Sequence, residues 1–190
     1  MSQTYKGRTE PCNNDIGGIK NVYLWKWEQY AQTEIKGVRG SSLTSYPATV
    51  VYQFETLSDG NTYEDSLIED NAYEQSLSVT LKKADLESNI DLQSYQNIIL
   101  GVIVEGYNGI FRLMGASNGV ELENISTAIG SGKSDFNGYN LTLTGRERFK
   151  APLFTNLNEV GFGIDTGSNY LLSELFEILT DENNNRLIYA

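Results

Sequence analysis

The sequence predicts a mainly β domain, an antiparallel β-sandwich or barrel with one or two flanking helices. Three observations lead to that class: repeated tight-turn dipeptides, segments in which apolar and polar side chains alternate, and one nearly continuous apolar run. The turn dipeptides accept the positive φ angles of hairpins, and they are Asp59-Gly60, Asn108-Gly109, Asn118-Gly119 and Asn137-Gly138. The segments between these turns have the character of strands.

Each strand is predicted from the side-chain pattern between two turns. β-branched and aromatic residues favour a strand at 50–54. Apolar side chains fall on every second position of 76–82 and again in 139–145, which is typical of half-buried strands. The run at 98–104 is apolar almost throughout, as expected for a strand buried on both faces. Together with the turn that follows it and the apolar segment 110–114, this run predicts a hairpin.

Two helices are predicted. Over 85–97, Leu86 and Ile90 share one face at helical spacing, and Asp85 is placed to cap the N-terminus. A second helix is predicted over 170–179, and a short strand follows it at 186–189. The apolar stripe of the second helix consists of Leu171, Leu172, Leu175, Phe176 and Leu179.

The domain boundary is predicted close to the N-terminus. Residues 1–18 are polar and contain three glycines and a proline, so they are expected to form an extended arm outside the core. Residues 19–190 then form a single β-rich domain. Long flexible loops are expected at 37–45 and 127–134.

Composition argues against most enzyme classes. The 190 residues include one cysteine and no histidine, which excludes Ser-His-Asp and Cys-His hydrolases and every His-ligated metal site. We therefore expect no enzymatic activity, no metal and no cofactor. No run approaches the roughly 18–20 apolar residues of a membrane span, and the N-terminus lacks the apolar core of a signal peptide. We expect neither membrane insertion nor secretion.

Charge is distributed unevenly along the chain. Lys and Arg total 14 and Asp and Glu total 25, which gives a net charge of −11. No cation lies between Arg39 and Lys82. The acids of that segment are Glu55, Asp59, Glu64, Asp65, Glu69, Asp70 and Glu74. Such a surface repels nucleic acid, because affinity for nucleic acid rests on cations that neutralise phosphates. Two interpretations stay open: the acids keep the protein soluble, or they face DNA without binding it.

Two short motifs resemble ligand sites without completing them. The segment 130–134 resembles the end of a phosphate-binding loop, but Thr127 stands where that pattern requires its first glycine. A hairpin loop is the preferred interpretation. Asp181, Asn183 and Asn185 have the spacing of a calcium-binding loop, but Arg186 occupies the position that requires glycine. A solvated turn is expected there.

An aromatic cluster near the N-terminus permits two interpretations. Alternation along a strand would place Tyr23, Trp25 and Trp27 on one face, with Tyr30 close by. Such a face belongs more often to a packed core or a subunit contact than to a platform that stacks sugars or bases. Carboxylate pairs of the glycosidase type are a further alternative, which the sequence does not localise.

The order of features along the chain resembles the tail-tube and tail-hub proteins of tailed bacteriophages, particularly phages of Bacteroidota, including the crAss-like phages. A polar arm containing residues 12–20 precedes the aromatic strand 22–27, and an acidic strand-loop-strand region follows at 52–82. The hairpin around Asn108-Gly109, the turn at 113–120 and the segment 130–145 complete the pattern. The resemblance covers roughly residues 12–153.

The resemblance implies a structural protein of the virion tail, assembled in the host cytoplasm and without catalytic activity. Subunits would join edge to edge into homo-oligomeric rings, hexameric or larger, and contact neighbouring tail, connector or portal-proximal proteins. The arm and the loop at 37–45 would reach neighbouring subunits. The seven acids would line a channel or an interface, so that double-stranded DNA passes without specific binding. The alternative is a β-sandwich carbohydrate-binding or adhesion module that uses the face formed by Tyr23, Trp25 and Trp27.

Overall fold

The computed structural model describes residues 16–29, 34–38, 40–56, 60–84, 86–132 and 134–165, and the predicted mainly β fold with short helices is confirmed. The strands are β1 (Ile19–Lys26), β2 (Lys36–Val38), β3 (Ser42–Ser45), β4 (Thr49–Glu55), β5 (Thr62–Leu67), β6 (Tyr73–Lys82), β7 (Ile99–Gly106), β8 (Phe111–Met114), β9 (Val120–Ile129), β10 (Asn137–Glu147), β11 (Leu153–Phe154) and β12 (Phe162–Asp165). The helices are α1 (Leu86–Ser94) and α2 (Leu157–Val160), and a 3-10 turn spans Glu69–Asn71.

The strands form one sheet that branches at β7. Along one edge β7 pairs with β1, which pairs in turn with β4, and β12 follows β4. Along its other edge β7 pairs with β8 near its C-terminal end and with β9 near its N-terminal end. One branch continues through β11 and β3 to β2, and the other through β10 and β6 to β5. The pairings are antiparallel except β11 with β3 and β12 with β4, which are parallel.

The branch point depends on the turn between β8 and β9. Gly115 and Gly119 both have positive φ angles, +69° and +75°, which other residues rarely adopt. A side chain at Gly119 would also collide with Ile99 on β7. The two glycines therefore allow the chain to turn from β8, which pairs with the C-terminal end of β7, into β9. Strand β9 pairs with the N-terminal end of β7 and then continues beside β10.

Strand β7 is buried on both faces, as the apolar run at 98–104 predicted. On one face it contributes to the first core, which the curled branch β9–β10–β6 and helix α1 enclose. Major members of the first core are Val22, Leu24, Leu77, Val79, Leu100, Val102, Val104, Leu141 and Leu143. On the other face it contributes to the second core, under β3, β11, β12 and α2. The second core comprises Tyr23, Trp25, Leu43, Tyr46, Val51, Ile103, Leu113, Phe154, Leu157, Val160 and Phe162.

The alternating segments became paired strands of the first core. Leu77 lies opposite Leu143, and Val79 lies opposite Leu141, in the ladder between β6 and β10. Each pair points into the same core because partners in a ladder share a face. The predicted strands at 76–82 and 139–145 are thus confirmed.

Helix α1 forms where the sequence predicted, but it buries a different face. Ile90 is 57% exposed, whereas Leu92 and Tyr95, just beyond the helix, are buried in the first core. The ring of Tyr95 meets that of Phe54 on β4 edge to face, with centroids 6.3 Å apart. This contact with a distant strand sets the rotation of the helix, so the predicted stripe of Leu86 and Ile90 was wrong for Ile90.

The predicted long loop at 37–45 is instead the hairpin of β2 and β3. Leu43 anchors it because its side chain is buried in the second core. The predicted loop at 127–134 begins later, since β9 continues to Ile129. Residues 1–15 of the predicted arm lie outside the described residues, as do the helix predicted at 170–179 and the strand predicted at 186–189.

Alanine substitutions at two strand glycines test how tightly the second core is packed. A Cβ at Gly101 would fall on the indole ring of Trp25, which lies opposite it on β1. A Cβ at Gly163 on β12 would meet nothing within 4 Å. We predict that Gly101→Ala lowers the free energy of unfolding by about 1–3 kcal/mol, the usual cost of overpacking. Gly163→Ala should be neutral or slightly stabilising. Urea denaturation measures both, and equal effects would contradict the described packing.

Candidate functional site

The structure brings five of the seven predicted acids onto one hairpin. Glu64 and Asp65 lie on β5, Glu69 and Asp70 in the 3-10 turn, and Glu74 on β6. We call these five residues the acidic hairpin. Glu55 lies apart from them, at the end of β4, where its Cα partner is Asn21 on β1. Asp59 lies outside the described residues.

The acidic hairpin is exposed except at one position. Glu64, Glu69, Asp70 and Glu74 are exposed, and so is Glu55. Asp65 is partly buried, because its Oδ2 accepts a hydrogen bond of 2.9 Å from the backbone N–H of Ala151. The other carboxylates are therefore solvated on the surface of the chain, whereas Asp65 Oδ1 is buried and has no hydrogen-bond partner within the described residues. Whether they face a channel stays a prediction.

Cations from a distant part of the sequence reduce the charge of the acidic hairpin. Arg146 on β10 lies opposite Glu74 in the ladder with β6, and its guanidinium reaches to 4.0 Å from the carboxylate of Asp70. Lys150 also approaches the hairpin, with its Nζ 5.8 Å from the ring centre of Tyr73. Exposed pairs of this kind contribute about 0–1 kcal/mol each. The segment between Arg39 and Lys82 contains no cation, but in the folded chain Arg146 and Lys150 lie close to its acidic hairpin.

A different carboxylate, Glu105, is the centre of a buried polar cluster that sequence reasoning missed. It lies near the end of β7 and is 6% exposed. Its Oε2 accepts hydrogen bonds from Asn21 Nδ2 at 2.6 Å and Tyr23 Oη at 2.7 Å, and its Oε1 accepts one from Lys20 Nζ at 2.9 Å. All three donors lie on β1, so the cluster ties β1 to β7. A lone acid beside an apolar run was the only signal in the sequence.

The hydrogen bonds decide the charge state of Glu105. Burial alone would raise its pKa. The hydrogen bonds from Tyr23, Asn21 and Lys20, together with the positive charge of Lys20, outweigh burial and hold the pKa below its ordinary value. The pKa of Tyr23 is raised, chiefly by burial and then by the hydrogen bond to Glu105. The carboxylate is therefore ionised and fully engaged, an arrangement suited to structure rather than to proton transfer.

The aromatic cluster belongs mainly to the second core. Tyr23 and Trp25 are each 3% exposed. Trp25 packs against Tyr46 and Phe162, with ring centroids 6.1 and 5.4 Å away. The preferred interpretation of a packed face is confirmed for Tyr23 and Trp25, which offer no exposed platform for stacking a sugar or a base.

The segment that resembles a phosphate-binding loop is the turn between β9 and β10. Gly132 donates its backbone N–H to Asp135 Oδ2 at 2.7 Å, and Ser131 Oγ lies 3.3 Å from the same oxygen. A carboxylate of the chain thus takes the donors that would face a phosphate. The hairpin interpretation is confirmed. The calcium-like spacing at Asp181, Asn183 and Asn185 lies outside the described residues.

In the described part of the chain, no group of three or more Cys, Asp or Glu side chains is arranged to hold a metal ion. None of its helices is both long and apolar enough to cross a membrane.

The buried cluster generates a prediction about acid stability. Because the folded-state pKa of Glu105 is lowered, its contribution is fully present above the unfolded-state pKa of about 4.3 and is lost as the pH falls through the folded-state value. We predict that Glu105→Gln lowers the free energy of unfolding at pH 7 by about 1–3 kcal/mol, as for a hydrogen-bonded charge. It should also flatten the decline in stability below pH 5.

Denaturant titration at pH values from 7 to 3 checks this prediction. Glu123→Gln on β9 is the matched control, because Glu123 is exposed and lies outside the cluster. That control should keep both the stability and the acid dependence of the unmodified protein. An acid dependence in Glu105→Gln as steep as that of the unmodified protein would refute the role of the cluster.

Comparison with known proteins identified no relative. No family model matches the chain, and no significant match was found among the curated proteins or the solved structures.

Proposed function

We propose that this chain is a structural protein that assembles with copies of itself into rings, of the kind that form a phage tail tube or tail hub. In this proposal the rings are hexameric or larger, surround passing double-stranded DNA, and contact neighbouring tail or connector proteins. The protein catalyses no reaction and belongs to the virion. The observation that carries the proposal is the presence of oppositely charged edge strands, β2 and β5, at two of the three ends of the branched sheet among the described residues, the third end being β12.

Strand β5 is one of these edges. Within the described residues it pairs only with β6, so its other side presents backbone N–H and C=O groups. Exposed edges invite pairing with another chain, and monomeric proteins usually protect them. Leu67, at the end of β5, is 62% exposed. The strand also carries the carboxylate of Glu64 on the surface.

Strand β2 is the second of these edges. Among the described strands it pairs only with β3, and it begins at the exposed cation Lys36. A β2 edge of one subunit placed against a β5 edge of the next would pair a cation with a carboxylate. Such a head-to-tail contact uses two different surfaces, and repetition of one head-to-tail rotation gives a ring when that rotation closes and an open filament when it does not. Charge complementarity favours this orientation over contacts between two acidic edges.

A charge exchange tests the contact. We predict that Lys36→Glu and Glu64→Lys each weaken assembly about tenfold, because each places like charges together. The double variant Lys36→Glu/Glu64→Lys should restore assembly. Size-exclusion chromatography with light scattering gives the oligomer mass, and negative-stain imaging shows whether rings are present.

Two matched controls exchange charge on strands other than the β2 and β5 edges. Lys26→Glu lies on β1 and Glu123→Lys on β9, and both residues are exposed. Both controls should assemble as the unmodified protein does. An unmodified protein that stays monomeric over a wide concentration range would overturn the proposal. If the double variant does not recover assembly, the contact between β2 and β5 is rejected, but the proposal of a ring is not.

The proposed channel makes a separate prediction. Replacing Glu55, Glu69, Asp70 and Glu74 with lysine leaves Glu64 and the edge unchanged. We predict that the resulting rings form at moderate salt but retain double-stranded DNA, with an affinity that falls as salt rises. The unmodified rings should not retain DNA. Co-sedimentation of assembled protein with DNA measures the difference.

An equal change of charge elsewhere is the control for the channel prediction. Glu28, Glu121, Glu123 and Glu159 are all exposed, and replacing these four with lysine changes the net charge by the same amount. This variant should retain much less DNA than the channel variant. Equal retention by the two variants would show that the acids serve solubility rather than passage.

A further inference from the structure

A cavity of about 460 Å³ opens at the seam of the curled branch, between strand β5 and the hairpin of β7 and β8. Tyr63 on β5 lines one side of it. Val104 on β7 and Arg112 on β8 line the other side, with Asn108 in the connecting turn and Gly18 just before β1. The proposed ring contact uses the same strand β5, through Glu64.

The guanidinium of Arg112 lacks a partner among the described residues. The side chain is partly buried, yet it forms no hydrogen bond or ion pair with any of them. It lies over Gly106, where an added Cβ would come within 3.5 Å of its Nη1. By contrast, Lys20 and Arg146 are each close to a carboxylate. A partly buried cation is costly unless an anion or a set of acceptors meets it.

A second polar group in the same cavity also lacks a partner. The hydroxyl oxygen of Tyr63 is buried and forms no hydrogen bond within the described chain. Burial is the main reason that the pKa of Tyr63 is raised, the charge of Asp65 raises it further, the charge of Arg112 lowers it, and hydrogen bonding toward the Asp65 carboxylate raises it as well. The phenol therefore keeps its proton and can donate it in a hydrogen bond. Tyr63 and Arg112 line the same cavity.

The nearby carboxylate does not serve as the partner of Arg112. Asp65 follows Tyr63 by two positions on the same face of β5, but its Oδ2 is engaged by the N–H of Ala151. No Asp65 oxygen lies within 4.0 Å of the guanidinium. The guanidinium of Arg112 thus remains available to a ligand that brings its own acceptors, whereas Asp65 Oδ1, which is buried without a hydrogen-bond partner in the described chain, competes for the Tyr63 hydroxyl.

We propose that this cavity binds a small oxyanion, the carboxylate or phosphate group of a soluble compound. The planar guanidinium of Arg112 matches the paired oxygens of either group, and the hydroxyl of Tyr63 supplies a further donor. The apolar walls at Ile19 and Val104 suit the carbon body of an organic anion. The site lies within a single subunit, but its Tyr63 wall belongs to β5, the strand that also carries Glu64 of the proposed ring contact.

Anion titrations test the proposal. Thermal unfolding and isothermal calorimetry are followed with sodium phosphate, acetate and succinate, each against sodium chloride at equal ionic strength. Saturable stabilisation by the carboxylates identifies an organic acid as the ligand, whereas saturation by phosphate alone identifies a phosphate compound. If none of these anions stabilises the protein more than chloride does, the proposal is wrong.

Variants locate the binding. Arg112→Gln should lower affinity at least tenfold, Arg112→Lys should give an intermediate loss because it keeps charge without the paired donors, and Tyr63→Phe should lower affinity several-fold. Arg148→Gln removes an exposed arginine that does not line the cavity and should bind as the unmodified protein does. Circular dichroism verifies folding, and Arg112→Lys replaces Arg112→Gln should the latter unfold. Equal losses in Arg148→Gln and the Arg112 variant would refute the site.

Discussion

The structure depends on one strand that is covered on both faces. β7 gives alternate side chains to two cores, so the curled branch and the packed layer of α2, β11 and β12 are built on the same backbone. Without β7, each core would lack one of the strands that enclose it. Its backbone groups are also divided among three neighbours, β1 along one edge and β8 and β9 along the other. The fold therefore tolerates little change in this strand.

The polar cluster at Glu105 completes the same constraint. Where β7 ends, apolar packing gives way to an ionised carboxylate that draws its donors from β1. A buried charge is acceptable there because its hydrogen bonds offset the cost of desolvation. The cluster also fixes register, since only one alignment of β1 and β7 brings Asn21 and Tyr23 to the same oxygen. Apolar burial stabilises the middle of the pairing between β1 and β7, and the hydrogen bonds to Glu105 stabilise its end.

The local sequence pattern was enough to predict the strands whose side chains are buried in a regular pattern, either alternately or continuously. The alternation at 76–82 and 139–145 and the apolar run at 98–104 each report which faces are buried, and burial is what selects those residues. The exposed face of α1 could not be obtained this way, because Phe54 on β4 determines which side of the helix is covered. The hairpin at 37–45 was missed because its one anchoring side chain, Leu43, is a weak periodic signal.

The candidate sites were also hard to predict, because they depend on contacts between residues that are far apart in the sequence. The acids from Glu64 to Glu74 were visible as a run, but the register that sets Arg146 opposite Glu74 joins residues more than seventy positions apart. Glu105 and Arg112 gave almost no signal, since a single charged residue in an apolar segment is equally compatible with the surface. Their significance depends on which groups lie within a few ångströms, and only the folded arrangement supplies that.

The position of β1 has a mechanical consequence. This strand follows directly on Ile16 to Gly18, and it is bonded to β4 on one side and to β7 on the other. Tension applied to the chain ahead of Ile16 would pull β1 along its own axis, and two ladders would resist sliding together. Strands loaded in this way yield only when many hydrogen bonds break at once, whereas a strand peeled from an edge loses them one by one. The N-terminal segment thus continues into a strand that is held by two ladders.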